Sequence, residues 1–143
     1  MFRLFLASAL VLAALPARAA PVPLATLTIK VEKVSPRGGD VRVALYTEDN
    51  YALENGEATT DAVVPAKPGE TIVTLKPVKP GTYAVKLFQD FNRNGQFDLN
   101  WIGLPLEKYG FSNDATPTIS EPPFDATRIE LRPGANTITV HLQ

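Results

Sequence analysis

Nine residues near the middle of the chain have the spacing of a hard-cation loop. They read Asp90-Phe91-Asn92-Arg93-Asn94-Gly95-Gln96-Phe97-Asp98, with oxygen-bearing side chains at the first, third, fifth and ninth places and Gly at the sixth. Ca²⁺ takes about six to eight oxygens, and a tight loop delivers them at alternating positions. The spacing predicts side-chain oxygens from Asp90, Asn92 and Asn94, the backbone carbonyl of Gln96, and a direct or water-bridged carboxylate from Asp98. Gly95 allows the positive φ that a chain wrapping an ion requires.

The twelfth place is Trp101, where an EF-hand uses a bidentate Glu, and the flanks are strand-like rather than helical. The loop is therefore similar to the shorter calcium loops found between strands, as in integrin propellers. With only two carboxylates, the expected affinity is in the weak extracellular range, about 10⁻⁴–10⁻³ M. Glu107 and Asp114 are the candidates to complete the shell from neighbouring loops. The alternative is an ion-free turn whose Asn and Asp side chains bond their own backbone.

Other chemistry is sparse. His141 is the only histidine; it lies opposite Ile138, Val140 and Leu142 in an alternating segment, so it is predicted to face solvent. A Ser-His-Asp triad would need it, and no Gly-x-Ser-x-Gly elbow accompanies it. Asp90 and Asp98 would be the pair for a two-carboxylate hydrolase of an envelope polymer, although the asparagines between them favour metal binding. Phe88, Phe91, Phe97, Trp101, Tyr109 and Phe111, half of the 12 aromatics, fall within 24 residues. Such a cluster is either a satellite core that holds a long loop down or an exposed platform for sugar or peptide. The platform would be Phe91, Phe97, Trp101, Tyr109 and Phe111.

These residues must be positioned by strands. Pro and Gly interrupt the chain every few residues, which excludes long helices. Between them runs period-two apolar alternation at 25–32, 41–46, 60–66, 71–76, 83–88, 128–131 and 137–142. Seven short strands predict an all-β, antiparallel β-sandwich with one long ordered loop, 89–114. The fourth strand reads as buried on both sides or near an edge. The turns 36–39 and 132–135 read as hairpins. Residues 48–55 predict one or two helical turns, capped by Thr47 and stopped by Gly56.

The N-terminus predicts export. Residues 1–3 carry a positive charge, 4–15 are apolar or small except Ser8, Pro16 breaks the run, and Ala17-Arg18-Ala19 suits signal peptidase. The apolar run is shorter than the ~20 residues that span a bilayer. Cleavage after Ala19 takes 19 residues from 143 and leaves a single domain of 124, residues 20–143. Loss of Arg3 and Arg18 leaves 12 basic against 15 acidic residues, a net charge of −3. That balance, with no basic stripe, argues against a nucleic-acid partner. The absence of cysteine excludes disulfides, thiolate metal sites and cysteine nucleophiles.

One resemblance covers nearly all of residues 20–143. Pro80-Gly81-Thr82-Tyr83-Ala84-Val85, the loop Phe88 to Gly95, and Gly103-Leu104-Pro105-Leu106-Glu107-Lys108-Tyr109-Gly110-Phe111-Ser112-Asn113 resemble the bacterial family of exported proteins catalogued as domain of unknown function 2141. The resemblance implies an exported β-sandwich of transthyretin-like or immunoglobulin-like kind and no particular activity. The central third is also similar to surface-protein B-repeat stalk modules. The expected protein is a periplasmic or secreted, non-enzymatic module with a calcium loop, serving an envelope component, whether protein or glycan. Self-association through an open sheet edge is a further alternative.

Overall fold

A computed structural model of the protein describes residues 18–143. The predicted signal segment, residues 1–19, lies outside the described residues except for Arg18 and Ala19. The strands are β1 (Ala25–Val34), β2 (Asp40–Tyr46), β3 (Thr60–Pro65), β4 (Gly69–Val78), β5 (Gly81–Asp90), β6 (Tyr109–Phe111), β7 (Ile129–Leu131) and β8 (Gly134–His141). Two single-turn helices, α1 (Glu48–Tyr51) and α2 (Phe124–Thr127), lie in the connections. Thr47 stands at the N-cap of α1 as expected, but its side chain makes no capping bond.

The strands form two sheets. One has the order β4-β1-β8; the other runs β3-β2-β5-β6, with β7 paired to β5 beyond the end of β6. Seven antiparallel strands were expected. The eighth, β6, is a three-residue strand built around Gly110, too short for a periodic signal. One pair is not antiparallel, because β1 and β8 run parallel from Ala25↔Gly134 to Glu32↔His141. The fourth strand is an edge strand with one buried face, its Ile72 lying in solvent.

Alternation dictates which face each strand buries. Leu27, Ile29 and Val31 of β1, Val41, Val43 and Leu45 of β2, and Val85 and Leu87 of β5 meet between the sheets with almost no exposure. Each such side chain stabilises the fold by about 1.5–3 kcal/mol. The opposite face of the larger sheet carries Arg42, Ala44, Lys86 and Phe88, and the candidate site is built there. Neither expected hairpin is one. Residues 36–39 lead from β1 in the smaller sheet to β2 in the larger, and 132–135 lead from β7 back to β8. Gly and Pro encode a reversal of the chain, not the identity of the neighbouring strand. Among the described residues no helix is long and apolar enough to cross a membrane.

Candidate functional site

Strand β5 ends at Asp90, and the chain then loops until β6. Asp90 is fully buried and organises the turn. Its Oδ2 accepts from the Arg42 guanidinium (Nε, 2.6 Å) and from the Gly95 amide (2.8 Å), and its Oδ1 from the Asn94 amide (3.1 Å). Gly95 has φ +78, a conformation that disfavours other residues, and the Arg42 guanidinium lies at ordinary contact distance, 3.5 Å, from where a Cβ would stand. Burial alone would raise the Asp90 carboxyl; the Arg42 hydrogen bond, the Gly95 amide and the Arg42 charge outweigh it and hold the group below the ordinary aspartate range. Asp90 is therefore a fixed anion.

The loop's other polar side chains bond one another and the loop backbone. Asn92 Nδ2 lies 2.7 Å from Asp98 Oδ2, and Asn94 Nδ2 lies 2.9 and 3.0 Å from the two Asp98 oxygens. Asn92 Oδ1 accepts from the Asn94 amide, and Asn94 Oδ1 from the Gln96 amide (2.9 Å). Of the two proposed completing residues, Glu107 reaches the loop: its Oε1 accepts from the Phe91 amide (3.0 Å) and its Oε2 from the Asp98 amide (3.1 Å). Asp114 does not. Its carboxylate accepts from the His141 backbone amide (2.8 Å) and faces His141 Nδ1 at 2.7 Å. Among the described residues no three His, Asp and Glu side chains are arranged to hold a metal ion, so a cation at this loop would depend on the asparagine oxygens.

The loop forms one wall of a groove of about 720 Å³ on the outer face of the larger sheet. Strand register makes its floor. One row runs Val63, Arg42, Phe88, Tyr109, and the next runs Asp61, Ala44, Lys86, Phe111. Phe97, Leu99 and Leu104 close one side, and Pro117 to Glu121 close the other. Four rings run edge-to-face along it, Phe88–Phe97 at 5.5 Å, Phe97–Tyr109 at 5.7 Å and Tyr109–Phe111 at 6.1 Å. Such contacts fix ring positions at little entropic cost.

Lys86 is the polar anchor of this floor. Its Nζ reaches Glu121 Oε2 (2.5 Å) and the Tyr51 carbonyl (2.9 Å), and it sits 4.3 and 5.0 Å from the ring centres of Tyr51 and Tyr46. Burial first, then the carboxylates of Glu121 and Asp61, raise the Tyr46 phenol. Tyr46 thus keeps its proton and remains a donor at the groove.

The five residues expected to form a platform divide three ways. Phe97, Tyr109 and Phe111 line the groove, joined by Phe88, which was not among them. Phe91 lies on the far side of the loop under the Arg37 guanidinium, 4.0 Å from its ring centre. Trp101 projects from the loop tip, 94% exposed. His141, expected in open solvent, is half-buried between Asp114 and Glu32, whose Oε2 lies 3.0 Å from Nε2. Sequence reading missed Arg42, Lys86 and Gln89. Buried Gln89 bonds the backbone of Ser35 in both directions and the Gly38 carbonyl, anchoring the inter-sheet turn. Their charge or amide at inward or central strand positions was the available signal.

No curated protein and no solved structure matches the chain. The family model described as an uncharacterized protein conserved in bacteria, DUF2141, matches residues 29–139, from the third β1 core position almost to the end of β8, and the chain belongs to that family.

Proposed function

We propose that this protein is an exported, non-enzymatic binding module of the bacterial envelope. The outer-sheet groove takes an extended peptide or glycan with an apolar or aromatic face, and a weakly held Ca²⁺ stiffens the loop that walls it. The observation that carries the reading is the row Phe88, Phe97, Tyr109, Phe111 along a groove of about 720 Å³, within the usual size of ligand sites. Rings presented edge-to-face leave π-surface for a sugar or a side chain, while Arg42, Lys86 and the Tyr46 hydroxyl supply polar contacts at the floor.

Calcium would be held by the oxygens of Asp90, Asn92, Asn94 and Asp98 with the Gln96 carbonyl. The spacing of these oxygens supports the donor set; the asparagine Nδ2 groups bond Asp98 and the asparagine oxygens accept backbone amides, so both side-chain amides would have to turn to present oxygen to the ion. Arg42 already neutralises Asp90, which supports weak rather than tight binding. The sealed, ionised state of Asp90 also favours binding over hydrolysis, because a general acid must carry a proton to its substrate.

Calorimetric titration with peptidoglycan fragments and with extended peptides tests the groove. One of the two should bind, and Phe88→Ala or Phe97→Ala should abolish the heat. Silence from both ligand classes sinks the binding reading. Thermal unfolding with and without millimolar Ca²⁺ tests the ion separately: the midpoint should rise in the native chain and stay put in Asp98→Ala.

A further inference from the structure

The tip of the long loop is an apolar finger. Leu99, Trp101, Ile102, Leu104 and Leu106 are all exposed, five large apolar side chains within eight residues. The exposure does not come from a slack chain. Leu99 bridges Pro105, Asn100 N donates to the Leu104 carbonyl (2.8 Å), Gly103 N to the Asn100 carbonyl (2.9 Å) and Leu106 N to the Asp98 carbonyl (2.9 Å). The Asn100 side-chain oxygen accepts from the amides of Ile102 (3.0 Å) and Leu104 (2.9 Å). Five of the seven amides of residues 99–106 thus have partners within the loop, which lowers the cost of placing this backbone in a medium poor in water.

Two cations stand beside the base of the finger. Arg37 and Lys108 line a shallow depression with Pro105 and Leu106. Of the acids nearest the finger, Asp98 accepts from the Asn92 and Asn94 side-chain amides, and Glu107, next to Lys108 in sequence, is turned inward and 5% exposed, with both oxygens bonded to loop amides. Aliphatic side chains at a tip, a Trp at its apex and cations at its base match the layers of an anionic lipid bilayer: acyl boundary, interface and phosphate.

We infer that residues 99–106 insert into the interface of an anionic phospholipid membrane, with Arg37 and Lys108 contacting the headgroups. This surface shares Leu99 and Leu104 with the groove wall but nothing with its floor, and it stands if the groove proves empty.

Trp101 is the only tryptophan in the chain, so emission excited selectively at tryptophan, away from the four tyrosines, reports the finger. The full chain is mixed with phosphatidylglycerol vesicles, with phosphatidylcholine vesicles, and with phosphatidylglycerol vesicles carrying brominated acyl chains. The emission should shift blue and be quenched by bromine with the anionic lipid only. Ile102→Asp and Leu104→Asp, both at exposed positions, should remove the shift while circular dichroism stays native. Arg37→Gln with Lys108→Gln should weaken partitioning roughly thirtyfold. An unchanged spectrum with anionic vesicles overturns the inference, as does an equal shift with zwitterionic ones. A concentration-dependent shift without lipid overturns it in favour of contact with a second copy.

Discussion

Arg42 Nε lies 2.6 Å from Asp90 Oδ2, and these residues are cross-strand neighbours once removed, two register steps apart on β2 and β5. The pair joins the groove floor to the calcium-like loop. Asp90 ends a strand, receives the loop's amides and takes its counter-charge from the sheet. Removing the guanidinium in Arg42→Gln leaves a buried anion with backbone amides only. A loss of about 3 kcal/mol in urea unfolding at neutral pH is expected. A loss below about 0.5 kcal/mol would show that the pair is not coupled to folding.

The same carboxylate sets an acid limit. Its folded pKa is lowered relative to the unfolded chain, so the folded state binds its proton less readily. The stabilisation is therefore present above the unfolded value near about 3.9 and is lost as pH falls through the folded value. Asp90→Asn should be less stable than the native chain at pH 7, and the two stability curves should converge below about pH 4. Curves that stay parallel across that window count against the assignment.

The strands were legible because burial between two sheets imposes a period of two, and Leu27, Ile29, Val31 or Val41, Val43, Leu45 display it openly. The sheet partners were not. A Pro-Gly turn reverses the chain equally well within a sheet or between two, so 36–39 and 132–135 were misread as hairpins. Tyr109-Gly110-Phe111 offers a single inward position, and that position is Gly110, leaving no alternation to detect. In the site, the spacing of Asp and Asn over 90–98 was visible, and that spacing lets the Asn92 and Asn94 amide nitrogens donate to Asp98. Arg42 lies 48 residues from Asp90, and Gln89 lies 54 from Ser35; such pairings depend on register, which composition does not encode.

Gly110 marks the closest approach of β6 to the smaller sheet. A Cβ there would lie 2.8 Å from Val140 Cγ1 and 3.2 Å from the His141 carbonyl. Gly110→Ala should cost about 1–3 kcal/mol through forced displacement of β8. Its chemical-shift changes should concentrate at residues 138–142 and spare the loop tip. An alanine variant as stable as the native chain would mean the sheets have slack at this edge.

Gln89 fills a buried inward position with an amide that acts like an extra length of strand. It satisfies Ser35 N (2.8 Å), Ser35 O (2.9 Å) and Gly38 O (2.8 Å). Gln89→Leu keeps the volume and strands three backbone groups, so a loss of about 2–4 kcal/mol is expected. Amide exchange should accelerate first at Ser35. If exchange there is unchanged, the turn is held by something other than this side chain.

Glu107 closes the long loop by joining its two sides. One oxygen accepts from Phe91 N and the other from Asp98 N, with the side chain nearly sealed from water. Only a carboxylate offers an acceptor at both ends of the fork; an amide replaces one with a donor. Glu107→Gln therefore sets an N–H against an N–H, on whichever side the amide nitrogen falls. The expected cost is about 1–3 kcal/mol, paid as local opening of 91–98 rather than global unfolding. Hydrogen exchange at the Phe91 and Asp98 amides should rise while protection in β1 and β2 holds. Because the groove wall includes Phe97, ligand affinity should fall with it. Unchanged protection at both amides in Glu107→Gln would remove Glu107 from the account of how this loop is held.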